Sequence, residues 1–180
     1  MCGRYAIFTD QENKEISKII RGFEDKIKTG EIYPTNPAPV ILADGVYVYN
    51  WGFPNFRNKG VIINARSETV KEKRMFKTSL AERRCVIPST GFYEWKEKQK
   101  YLFTLPNSPV LYMAGIYSEF EGKPCYVILT TAANKSVREI HDRMPLVLSR
   151  EMLNDWIVND NAAMHILHDT PPELLVRAVS

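Results

Sequence analysis

CVIPSTGFYEWKEKQKYLFTLPNSPVLYMAGIYSEFEGKPCYVILTT, residues 85–131, packs several β-rich runs into one stretch. The runs are Cys85-Val86-Ile87-Pro88, Gly91 to Lys96, Tyr101 to Leu105, Val110 to Tyr117 and Tyr126 to Thr131. Branched and aromatic side chains suit a pleated, half-buried surface, and Glu121-Gly122 supplies the turn between the last two runs. Strands clustered in this way, with helical patterns kept to the periphery, predict an α+β fold with mostly antiparallel pairing.

Working outward toward the N-terminus, Val40 to Leu42 and Val46 to Tyr49 flank the hairpin signal Ala43-Asp44-Gly45. Val61-Ile62-Ile63 reads as a buried strand ending at Asn64, and a charged, partly helical piece runs from Glu68 to Glu82. Ile16, Ile19, Ile20, Phe23 and Ile27 fall at helical spacing and predict one amphipathic helix over 11–29. Thr9 with Glu12 resembles its capping box, and Gly30 its stop. Toward the C-terminus, short helices are expected at Ser136 to Ile140, Arg150 to Val158 (capped by Ser149) and Ala162 to His168. No repeat or linker divides the chain, so residues 1–180 are read as a single domain.

The 180 residues are 44% hydrophobic and 25% charged, which is globular and far from the disordered regime. A net charge of +3 permits an anionic partner without demanding one. The cysteines, Cys2, Cys85 and Cys125, are odd in number and form no C-x-x-C pair, which argues against a disulfide framework or a structural zinc and for a reducing compartment. No apolar run has transmembrane length and no signal-peptide core follows Met1. The expectation is a soluble, intracellular, cytoplasmic monomer with no cofactor and no metal.

Chemistry concentrates at a few islands. In Met1-Cys2-Gly3-Arg4-Tyr5 a small residue follows the start methionine, so trimming would leave Cys2 first. Its α-amine would then titrate near roughly 7.7–8.0 and its thiol near about 8.5, a 1,2-aminothiol suited to aldehydes. Arg4 adds a positive charge two residues on. Asn64 offers donors and an acceptor, and Arg66 on the same face suits a phosphate, although a turn asparagine and a surface arginine satisfy the same pattern. Glu94 in Gly91-Phe92-Tyr93-Glu94-Trp95 is either a desolvated acid–base or the water-facing half of an alternating strand. His141-Asp142-Arg143, set among apolar residues, offers a proton carrier with charged neighbours. The loop from Trp51 to Asn58 could stack bases on its aromatics beside Arg57 and Lys59, or give Trp51 and Phe53 to the core. His165 and His168 lack a third metal ligand nearby. No Gly-rich phosphate loop or G-x-S-x-G elbow is present, which removes the usual support for nucleotide or serine hydrolysis.

Taken in order, these islands resemble the SRAP family (SOS-response-associated peptidase domain). The resemblance rests on Met1 to Arg4, Tyr33 to Pro39, Trp51-Gly52, Asn64 to Thr69, Arg74-Met75-Phe76, Arg84 to Trp95, and His141 to Pro145. It implies a mostly antiparallel, barrel-like core with peripheral helices. It also implies a sensor that crosslinks itself to abasic sites in single-stranded DNA, with reversal or AP-lyase activity beside it. In that picture Cys2 forms a thiazolidine with the ring-opened deoxyribose and Asn64 holds the Cys2 end and the sugar. Glu94 orients the amine and shuttles protons, while His141 assists opening of the sugar ring. Arg4, Arg66, Arg74 and Arg143 hold phosphates, Thr130 is a secondary contact, Trp51 belongs to the stacking loop, and Pro39 and Phe56 are wedge residues. The chain departs from the family at Asn55-Phe56-Arg57, where tryptophans are frequent, and in ending soon after Val179. A thiol peptidase or N-terminal-nucleophile hydrolase using Cys2, His141 and Glu94 is the alternative, and a plain single-strand binder a third reading.

Overall fold

The computed structural model describes residues 2–10 and 13–180. Removal of Met1, the pairing of Thr9 with Glu12 and the start of a helix at Gln11 lie outside the described residues.

Along the chain run β1 (Arg4–Ile7), α1 (Lys14–Ile19), β2 (Gly30–Ile32), β3 (Pro37–Leu42), β4 (Gly45–Trp51), β5 (Phe53–Pro54), β6 (Val61–Ile62), β7 (Asn64–Arg66) and α2 (Arg74–Glu82). There follow β8 (Arg84–Ser89), β9 (Gly91–Lys96), β10 (Gln99–Thr104), β11 (Leu111–Phe120), β12 (Lys123–Ala132), β13 (Arg143–Pro145), β14 (Val147–Leu148), α3 (Met152–Val158), α4 (Asp160–Ile166) and β15 (Leu175–Val179). The order β12-β4-β3-β8-β11 returns to β12, so these strands close into a barrel. Closure removes the free edges that an open sheet would expose. A second sheet, ordered β15-β10-β9-β1-β2, is antiparallel throughout. The α+β class with mostly antiparallel pairing is what the sequence predicts. The exceptions are β4 and β7, which both run parallel to β12.

Local chemistry explains the hairpins. Between β11 and β12 the loop is Glu121-Gly122, both at positive φ (51° and 74°), the twist a two-residue hairpin needs. The core runs between the sheets, with Tyr5, Ile7, Phe92 and Phe103 facing Trp51, Ile87 and Tyr126. Burial of β8 is continuous because the barrel covers one face and α3 lies against the other, where the Trp156 indole donates to the Cys85 carbonyl at 2.9 Å.

Several expected elements are corrected. The helix expected over 11–29 shrinks to α1, because Gly22 turns at φ +85° and its N–H is taken by the Glu24 carboxylate. Gly30 opens β2 instead of ending a helix. The Ser149 carbonyl accepts from Met152 and its side chain bonds the Glu151 carboxylate, so it does not cap α3, and Asn159 is the side-chain cap, on α4. Residues 136–140 form turns. Val61-Ile62-Ile63 is half-buried and interrupted, with strand resuming at Asn64. No helix among the described residues is long and apolar enough to cross a membrane.

Candidate functional site

Cys2 precedes β1 and is fully buried. Its thiol donates to the Arg4 carbonyl at 3.7 Å. Burial pushes the thiol far above its ordinary range, and the charge of Glu94 adds to the rise. Beneath it, the Tyr5 and Tyr126 hydroxyls meet at 2.5 Å, and Trp51 sets its ring edge against Tyr5 at 5.1 Å.

Glu94 is delivered by β9, whose alternation settles the question that the sequence leaves open. Phe92 and Glu94 point inward, while Tyr93 packs with Ala6 and Leu102 on the outer face. Gly91 makes this register feasible: a Cβ there would lie 2.6 Å from the Phe103 carbonyl, and φ is +152°. Glu94 is 4% exposed, and desolvation raises its carboxyl above the ordinary carboxylate range, partly offset by His141. His141 Nε2 stands 3.9 Å from Glu94 Oε2. Its Nδ1 accepts the Arg143 backbone N–H at 3.0 Å and lies 3.0 Å from Asp142 Oδ1. Cys2, Glu94 and His141 therefore form one neighbourhood, built from the N-terminus, β9 and the loop before β13.

Asn64 opens β7, in register with Ile128 of β12. Both polar atoms of its amide are buried and lack a hydrogen-bond partner among the described residues. Buried polar groups are normally satisfied, so this amide is available to a ligand. It makes no hydrogen bond to Cys2, Glu94 or His141. Ser67 and Thr69 carry buried hydroxyls in the same condition, and the Asn64–Thr69 run was the only sequence signal for them.

The expected phosphate-gripping arginines divide. Arg66 and Arg74 are exposed. Arg4 instead bonds Glu31 at 3.1 Å and stacks 4.0 Å over the Tyr33 ring, while Glu31 also holds Lys100. Arg143 is buried and forks onto Glu68 at 2.6 and 2.9 Å. Three of the expected DNA contacts are buried. Trp51 is fully buried, its indole donating to the Ile63 carbonyl. Thr130 is fully buried, and its hydroxyl accepts from Arg143. Pro39 is buried within β3 opposite Val48. Of the two residues expected as wedges, Phe56 reaches solvent, at 76% exposure. Glu31, Glu68 and Tyr126 were missed, because a surface acid and a core tyrosine carry no motif of their own. Among the described residues no His, Cys, Asp and Glu cluster could hold a metal ion.

A protein from Bacillus subtilis (strain 168), abasic site processing protein YoqW, is 34% identical over 184 residues, covering 87% of this chain and 80% of its own. Abasic site processing protein YedK of Escherichia coli (strain K12) is 36% identical over 119 residues, 59% of this chain and 52% of its own. A crystal structure of a protein from Bacteroides thetaiotaomicron superposes with a TM-score of 0.81 at 22% identity, over 99% of this chain and 92% of that one. At that identity the likeness speaks for the fold alone. The sequence matches the family described as SOS response associated peptidase (SRAP) over residues 1–180, and the chain belongs to that family.

Proposed function

We propose that the protein senses and processes abasic sites in single-stranded DNA, capturing them covalently through Cys2 once Met1 has been removed. The observation that carries this reading is the buried Cys2 beside the Glu94–His141 pair, with its 3.9 Å separation. An abasic sugar is a latent aldehyde on a polyanion, and an aminothiol with an acid–base pair is the chemistry that captures it.

The physical state of each group orders the steps. Burial keeps the Cys2 sulfur as a thiol, so the α-amine attacks first. His141 and Glu94 move the proton that opens the sugar ring to its aldehyde. The amine adds to the aldehyde carbon, the carbinolamine loses water, and an imine forms. The sulfur then adds to the imine carbon while its proton passes to the nitrogen, closing the thiazolidine. The net change is loss of the carbonyl oxygen as water and formation of one C–N and one C–S bond. A carboxyl poised above its ordinary range both accepts and donates along this route. Asn64, with its unsatisfied amide, is the group to hold the sugar or the Cys2 end.

A thiol-peptidase reading has less support, since a cysteine nucleophile needs a lowered thiol and burial raises this one. Protein whose N-terminus is verified as Cys2 by mass spectrometry should give a denaturation-resistant band with an abasic oligonucleotide. A variant with one alanine inserted before Cys2 should give none. No band from the verified protein would sink the reading.

A further inference from the structure

We propose that Glu68 is a positioning residue that sets His141 through Arg143, a role that rests on the reading above only for its kinetic consequence. The two halves of the site meet at β12. On one flank β7 runs parallel to it, pairing Arg66 with Thr130, and on the other β13 runs antiparallel, pairing Arg143 with Ala132. Asn64 thus belongs to one flank and His141 to the loop entering the other. The Arg143–Glu68 fork spans the end of β12 and ties the two flanks together.

Everything near this crossing is pinned at Thr130. Its carbonyl accepts the Ser67 backbone N–H at 2.8 Å and Arg143 Nη2 at 2.8 Å. The remaining guanidinium nitrogen, Nε, is buried with no partner among the described residues, so the Glu68 fork and Thr130 define where Arg143 sits. Arg143 holds the Glu68 carboxyl below the usual carboxylate range, which keeps the fork charged. A bidentate arginine–carboxylate pair fixes orientation as well as distance.

The consequence reaches His141 through the backbone. The Asp142–Arg143 peptide is held at both ends: Ala133 N–H donates to the Asp142 carbonyl at 2.9 Å, and Arg143 N–H donates to His141 Nδ1 at 3.0 Å. A ring nitrogen that accepts a hydrogen bond carries no proton, so the neutral imidazole holds its proton on Nε2, the atom facing Glu94. Asp142, 85% exposed on its side chain, lies 3.0 Å from the same Nδ1 and competes for it in the opposite sense. That contact is useful only when Nδ1 is protonated. Releasing Arg143 frees the loop, lets Nδ1–H turn to Asp142, and leaves Nε2 bare toward Glu94. Glu68 therefore selects the tautomer.

The experiment reads the tautomer directly, by nitrogen NMR of the free, histidine-labelled protein, with His141 assigned from the His141→Gln spectrum. The wild type is expected in the Nε2–H form, and an Nδ1–H wild-type spectrum overturns the proposal with no variant needed. Glu68→Gln is expected to move His141 toward Nδ1–H while His165 and His168 stay unchanged, and adding Asp142→Asn should restore Nε2–H. A folded Glu68→Gln with an unmoved His141 overturns it. At saturating abasic oligonucleotide, Glu68→Gln should slow crosslinking by up to about 100-fold, the scale of a misplaced catalytic group, without weakening binding to a non-reactive abasic analogue. Altered binding with an unaltered rate would make Glu68 a mere competitor for Arg143 and refute the positioning role. Failure of the wild type to crosslink would remove the functional reading and leave the tautomer result standing.

Discussion

Glu94 is a carboxylate kept where a carboxylate is costly. Desolvation raises its folded-state titration above the ordinary range, so within that window the native protein holds a proton that the unfolded chain has lost. Stability therefore falls as pH climbs through the window and stays lower above it. Glu94→Gln should remove this cost and stabilise the protein at neutral pH by on the order of 1–3 kcal/mol, at about 2–4 °C in Tm per kcal/mol. The advantage should shrink toward zero as pH falls below the ordinary carboxylate range, while capture of the abasic site is lost. Thermal scans across pH check it, and a variant less stable than wild type at neutral pH would contradict it. At this scale the sequence was informative where a residue type carries the chemistry itself. Cys2, Glu94 and His141 stood out by residue type, and the fold brings the three into one neighbourhood. Burial was only half legible: Trp51 reads equally as a stacking or a core residue until its indole is seen bonded to the Ile63 carbonyl inside the core.

Elements are joined by a residue with no catalytic part. Arg84 begins β8, and its buried guanidinium donates to the carbonyls of Leu80 and Ala81 in the last turn of α2. It also reaches Trp156 and Ile157 near the end of α3, and its Nη2 meets Asp160 in the first turn of α4 at 2.6 Å. Carbonyls at helix C-termini need such donors, and a planar fork serves several at once. Arg84→Met should cost about 3–5 kcal/mol, because it strands buried carbonyls, and Arg84→Lys should recover only part. Urea unfolding measures this, and unchanged stability in Arg84→Met would refute it. The strand pattern of residues 85–131 was legible because alternation and turn residues are local. The helix over 11–29 was overcalled because its apolar spacing continues past Gly22, where the backbone turns to positive φ. β13 and β15 were missed for the opposite reason: each is short, and what makes it a strand is its partner, β12 or β10.

For the whole molecule, the closed barrel and the second sheet bring an N-terminal cysteine, a mid-chain glutamate and a late histidine together, which no local pattern specifies. The same assembly decides which cations are available to a nucleic acid. Arg4 is neutralised by Glu31 and Arg143 by Glu68, whereas Arg66 and Arg74 are exposed. Each phosphate neutralised on a single strand contributes about 0.7 to the slope of log affinity against log salt. A cation already paired with a carboxylate must give up that partner before it can release a counterion, so it contributes less. Arg66→Gln and Arg74→Gln should each flatten the slope by about 0.7, and Arg4→Gln by clearly less. Anisotropy titrations of a single strand bearing a non-reactive abasic analogue, between about 50 and 200 mM salt, give the slopes directly. Equal flattening by Arg4 and Arg66 would mean that Glu31 yields its arginine to phosphate at no cost, and the division of the arginines into paired and available would fail.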